Sequence, residues 1–93
     1  EPVLGVNNYV FNNFKVYPNP SNGIFNLEFN SKNTSDVEIN VFDMMGRSIL
    51  KRVFKNKPTN FKENINIQNI SSGIYILQVK RGNEISSQKL QIN

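Results

Sequence analysis

The chain contains neither histidine nor cysteine, which removes most catalytic routes and leaves its carboxylates as the first candidates for chemistry. The missing histidine removes the commonest neutral-pH general base and the commonest metal ligand. Ser-His-Asp catalysis, Cys-His catalysis and any His/Cys zinc site are excluded with it. The missing cysteine removes disulfides and thiol nucleophiles. The acids are Glu1, Glu28, Asp36, Glu38, Asp43, Glu63 and Glu84. Glycoside hydrolysis would need two of them facing each other across a cleft. All fit turns or outward strand positions except Glu63, which shares a face with Phe61 and Ile65. A place at the core rim, or a salt bridge to a lysine, accounts for Glu63 without catalysis.

Other side chains offer binding rather than catalysis. Oxygen ligands cluster around Asn33 and Asp36, but no Asp-x-Asp-x-Asp-Gly loop accompanies them, so no calcium site is expected. Tyr9, Phe11, Phe14 and Tyr17 would suit a sugar-stacking strip. The chain has no tryptophan, and alternation assigns these rings to the core instead. The net charge is +4, with a loose basic group at Lys51, Arg52, Lys55, Lys57 and Lys62. No stacking aromatics or Gly-rich loop interleave it, so it reads as a solvated edge and not a nucleic-acid surface. Lysines there also discourage stray edge pairing. The pattern thus predicts no enzyme, no cofactor and no metal.

The elements that position these residues are strands. With 93 residues the chain holds one modest domain. Residues 1–13 show no sustained period and read as a linker with a few docking side chains, Leu4, Val6, Tyr9 and Phe11 among them. Residues 14–93 read as the domain. Phe14-Lys15-Val16-Tyr17 is a short strand, stopped by Pro18-Asn19-Pro20-Ser21-Asn22-Gly23. Phe25, Leu27 and Phe29 alternate with polar residues, as do Val37, Ile39 and Val41. Gly46 closes a bulged hairpin, and residues 48–54 return. Phe61, Ile65 and Ile67 mark a fifth strand. A sixth, from Ile74 to Val79, is apolar on both faces at its start, as a central strand would be. Arg81-Gly82-Asn83 is a tight turn into a last strand that ends at Ile92. The fold expected is all-β: a seven-stranded antiparallel immunoglobulin-like β-sandwich. No apolar run is long enough to span a membrane and no signal peptide is present. The start at Glu1-Pro2 rather than Met predicts a fragment of a longer precursor or a processed product.

Four local signatures follow one another in fixed order. They are Phe14-Lys15-Val16-Tyr17-Pro18-Asn19-Pro20-Ser21-Asn22-Gly23-Ile24-Phe25, Val41-Phe42-Asp43-Met44-Met45-Gly46-Arg47, Ile70-Ser71-Ser72-Gly73-Ile74-Tyr75-Ile76-Leu77-Gln78-Val79, and Lys89-Leu90-Gln91-Ile92. Together they resemble the type A C-terminal sorting domain of the type IX secretion system of Bacteroidota-type bacteria. The resemblance covers about Leu4 to Asn93. It implies an immunoglobulin-like sandwich fused behind a larger cargo and exported across the outer membrane to the cell surface or medium. The implied partners are an outer-membrane shuttle barrel, translocon proteins and a surface sortase that removes the domain. Cleavage would fall near Leu4, Gly5 and Val6, in the unpatterned segment. The residues that match family motifs are Pro18, Asn19, Pro20, Gly23, Gly46, Gly73, Tyr75, Lys89, Leu90, Gln91, Ile92 and Asn93. Turn geometry accounts for the glycines and prolines by itself. The terminal segment is the expected recognition element, as a strand end that a partner sheet or pocket takes up. The domain is expected to be monomeric. The competing expectation is a carbohydrate- or protein-binding immunoglobulin-like module retained on a secreted enzyme.

Overall fold

The computed structural model describes residues 11–93. Seven strands follow in chain order: β1 Asn12–Tyr17, β2 Ile24–Asn30, β3 Val37–Asp43, β4 Ser48–Phe54, β5 Asn60–Asn66, β6 Gly73–Arg81 and β7 Glu84–Ile92. No helix occurs among the described residues. All named pairings are antiparallel. Three strands form one sheet in the order β1-β2-β5, and four form the other in the order β4-β3-β6-β7. Hairpins join β1 to β2, β3 to β4 and β6 to β7, while the other connections cross between sheets. The constant-type immunoglobulin order puts the fourth strand in the sheet of the first, second and fifth. Here β4 pairs with β3 instead.

Alternation dictates the two layers. Phe25, Leu27 and Phe29 of β2 and Phe61 and Ile65 of β5 point into the core from one sheet. Val37, Ile39 and Val41 of β3, Leu77 and Val79 of β6 and Leu90 and Ile92 of β7 meet them from the other. Phe11 joins this core just ahead of β1, its ring stacked 4.3 Å from Phe29, which stacks 4.9 Å from Phe61. The aromatic column ends at Phe54, edge-on to Phe61 at 5.4 Å. Such contacts add to plain area burial.

The register sorts the connections into two ends. Tyr17, Ile24, Asp43, Gly73 and Ile92 lie at one end, and Asn12, Asn30, Val37, Arg81 and Glu84 at the other. The second end is organised by Arg81. Continuing the alternation of Tyr75, Leu77 and Val79 turns its side chain inward, and it is fully buried. The strand therefore runs to Arg81, which sequence places in the turn. Its Nε donates to Ser35 O at 2.8 Å, Nη1 to Pro58 O at 2.9 Å and Ser31 Oγ at 3.1 Å, and Nη2 to Lys57 O. One guanidinium thus pins two loops, residues 31–36 and 55–59, to the end of its own strand. Burial pushes its pKa down from the ordinary arginine value, and it remains protonated.

Replacing Arg81 with Met would keep bulk but orphan several buried carbonyls, each costing free energy. The loss of stability expected for Arg81→Met is about 3 kcal/mol or more. A urea titration of the chain checks it, and an unshifted midpoint would refute the assignment.

Candidate functional site

The loop at residues 18–23 sits at the end opposite Arg81 and is built to hold the last strand. Pro18 and Pro20 have no N–H to offer. The polar groups between and after them do the bonding. The Asn19 side-chain amide acts like one more strand residue: Nδ2 donates to Lys89 O and Oδ1 accepts from Gln91 N, both at 3.0 Å. Ser21 N donates to Gln91 O at 3.0 Å, and Asn93 N donates to Ser21 O at 2.8 Å. Ser21 is buried, in parallel bridge with Ile92. β7 is an edge strand of its sheet, yet this terminal stretch is bonded on both sides.

Gly23 ties the same loop to the chain that follows β5. Its carbonyl accepts from Ile67 N at 2.8 Å. Its φ is +107°, and an added Cβ would lie 3.0 Å from Ile67 O and 3.2 Å from Ile70 Cγ2. Conformation and space both demand glycine here.

The β3–β4 turn forms the next wall. Asp43 Oδ1 accepts from the N–H groups of Met45 and Arg47, both at 2.9 Å, and Oδ2 accepts from Arg47 Nε at 2.8 Å. The Arg47 backbone N–H, aided by its side chain and the Met45 N–H, holds the Asp43 carboxyl below the usual aspartate range. Gly46, at φ +87°, closes the turn. Opposite it, the Tyr75 hydroxyl donates to Ser71 O at 2.7 Å and braces the 71–73 bend, with Gly73 against the ring edge. An open cleft of about 420 Å³ separates this turn from residues 69–75.

All the sequence-predicted motif residues therefore gather at one end. Asn19, between Pro18 and Pro20, bonds Lys89 and Gln91, Ser21 bonds Gln91 and Asn93, and Gly23 ends that loop, while the turn that holds Gly46 lies across the cleft from Gly73 and Tyr75. The Gly73–Ile92 and Tyr75–Leu90 pairings join the two halves. The family described as secretion system C-terminal sorting domain matches residues 15–93. The chain belongs to that family. No curated protein matches it. Membership makes this a type IX C-terminal sorting signal, linked to a cargo and to the secretion machinery, and directed across the outer membrane. The family is one of signal domains and not of catalysts. No helix among the described residues is long and apolar enough to cross a membrane.

The terminal strand differs from the free end that sequence predicts. Leu90 and Ile92 are core side chains, and the backbone of residues 89–93 is bonded along both edges. Only Lys89, Gln91 and Asn93 present side chains to solvent there. The processing positions Leu4, Gly5 and Val6, with Glu1 and Tyr9, lie outside the described residues. Phe11 is buried and Phe14 half-buried, so neither forms a stacking strip.

The carboxylates are held by donors rather than by one another. Tyr17 OH and Lys62 reach Glu28, Lys55 reaches Asp36, Asn40 and Lys51 reach Glu38, and Asn33 Nδ2 reaches Glu84. Glu63 pairs with Lys57, the structural role expected of it. A hydrogen bond from Tyr17 lowers the Glu28 pKa, and one from Asn40 lowers that of Glu38. A general acid needs the opposite direction. Asn33, the candidate calcium ligand, accepts from Ser35 N with Oδ1 in a local turn. No group of three or more His, Cys, Asp or Glu suited to a metal occurs among the described residues. Sequence reasoning missed Ser21, Asp43 and Arg81. Alternation pointed to Arg81, and an Asp four residues before an Arg across a glycine turn pointed to Asp43.

Two outcomes follow for the isolated chain. Gly23→Ala should cost about 1–3 kcal/mol, from strain at positive φ and contact with Ile67 O, read as a lowered thermal midpoint. Asp43 has a folded pKa below its unfolded one, so its contribution is complete above the unfolded value, about 4. It is lost as pH falls through the lower folded value. Protection of the Met45 and Arg47 amides, taken as exchange relative to the intrinsic rate at each pH, should fall on acidification below about pH 4, and Asp43→Asn should blunt that response.

Proposed function

We propose that this chain is the non-catalytic export signal of a larger cargo. It is read as a folded domain by the outer-membrane shuttle barrel of the type IX system and then removed by a surface sortase. The observation that carries this reading is the assembly of all four motifs at one end, around a terminal strand clamped by Asn19 and Ser21. Motifs scattered for turn geometry alone would have no reason to converge.

Chain direction supports it. β1 begins at Asn12, opposite Asn30, and Phe11 N donates to Ser86 Oγ near the Arg81 end. The cargo side therefore enters the sandwich at the end opposite the motifs, which leaves them unobstructed. Cleavage at Leu4-Gly5-Val6 would spare Phe11, which is built into the core.

Within the recognised end, Pro18, Asn19, Pro20, Gly23, Gly46, Gly73 and Tyr75 set the shape, and Lys89, Gln91 and Asn93 supply readable polar groups. Leu90 and Ile92 act through the core. Deleting residues 89–93 would remove both of these from the core, so loss of export in that variant would report unfolding as much as lost recognition.

A cleaner test fuses a reporter ahead of residues 1–93 and follows it in a bacterium with a type IX system. The reporter should reach the surface with the domain and stay in the periplasm without it. Mass spectrometry of the shed fragment should find a new N-terminus ahead of Phe11. Equal export without residues 15–93 would sink the proposal.

A further inference from the structure

An antiparallel sheet that covers a core on one face normally alternates to polar residues on the other. The four-stranded sheet obeys this over its Arg81 half. There Glu38, Asn40, Gln78, Lys80 and Ser87 face outward, with only Val53 and Ile85 interrupting. Toward the motif end the rule fails. Phe42 and Ile76 pair across β3 and β6 on the outward face, and Ile74 follows one step on. Ile76 is only 8% exposed, yet it lies outside the core cluster that holds its neighbours Tyr75 and Leu77. Ile49 of β4 and Met44 and Met45 of the adjoining turn extend the apolar surface, and Met45 is 82% exposed. None of these residues belongs to the core cluster on the other face.

The rim is cationic. Lys89 pairs with Ile76 on the next strand and is exposed. Arg47 is exposed and spends only Nε on Asp43. Around a two-fold axis, a second copy would bring an identical cationic rim to the same patch, which disfavours self-pairing. A contiguous apolar patch rimmed by polar groups marks a binding surface. Its contact with the solvent-exposed half of three motifs gives it the same owner as the sorting signal.

We propose that the shuttle barrel docks on this outward face, at Phe42, Met44, Met45, Ile49, Ile74 and Ile76, through an apolar ridge bordered by carboxylates that meet Arg47 and Lys89. This rests on the sorting reading above and adds the surface and its chemistry. Adaptable methionines in the turn beside the strands suit a partner that must accept many cargo domains.

The test uses the full precursor and the purified shuttle. Met45→Asp places a charge where no packing is lost, so the thermal midpoint should hold. Ile74→Asp is added to it in a second variant, and Asn83→Asp at the far end is the control. Binding and export should both fall about tenfold or more in the Met45 variant and further in the double variant, with the control unchanged. Binding should also weaken with added salt and in Lys89→Glu. Wild-type binding and export by Met45→Asp, when deletion of the domain stops export, would overturn the docking face and leave the sorting reading intact. Salt-independent binding would overturn the carboxylate border. A stable dimer that Met45→Asp dissociates, with export unchanged, would assign the patch to a second copy and also overturn the proposal. Export that survives domain deletion would remove the sorting reading, and this one with it.

Discussion

The clamp that Asn19 and Ser21 place on the last strand is the contact on which the rest of the structure depends. It joins residues 70 and 72 positions apart in sequence, at the two ends of the domain. β7 without it would be an open sheet edge ending in a fraying terminus. With it, Leu90 and Ile92 stay in the core, and the β6–β7 register is fixed down to the Gly73–Ile92 pair. The loop that supplies the clamp also accepts a bond from Ile67, so the two sheets and the terminus are closed by one segment. A bond of such long sequence separation is costly to form and comes only once most of the chain is in place.

The two ends of the sandwich solve different problems with different chemistry. At the Arg81 end, two loops must be gathered without a large apolar surface, and the guanidinium does this with charge-assisted bonds to backbone oxygens. No carboxylate partners it in those bonds, so its charge is balanced by carbonyl dipoles. At the other end amide, hydroxyl and backbone groups do most of the bonding, and one carboxylate, Asp43, holds the β3–β4 turn and pairs with Arg47. Surface ion pairs such as Lys51–Glu38 and Lys62–Glu28 add little to either. They do account for much of the basic group, which is spread over separate carboxylates rather than massed as one field.

What sequence could and could not say follows from what each signal reports. The hairpin glycine Gly46 placed β4 beside β3 as the return strand. Period-two alternation reports which face is buried, and it located β2, β3 and β5 with their core residues. It does not report partners, so which strands share a sheet beyond the hairpins was not legible. Nor does it mark strand ends, where Arg81 was taken for a turn residue. Gly23 and Gly46 were legible as conformational requirements, because positive φ selects glycine. Asn19 and Ser21 were not, because asparagine and serine after proline suit any loop. Their partners lie on β7, and nothing local points there. The mistaken expectation of a free terminal strand came from the same gap: the terminus of a chain looks free until the loop that covers it is known.

The parity of the strands also decides how the motifs should be understood. Along β6, Tyr75 and Leu77 point into the core while Ile74 and Ile76 point out. Along β7, Leu90 and Ile92 point in while Lys89 and Gln91 point out. A single motif therefore carries two sets of constraints, one for folding and one for the surface. Replacing a whole motif removes both at once and cannot tell them apart. Replacing only the outward residues tests recognition on an intact sandwich, and replacing only the inward ones tests whether a folded domain is required.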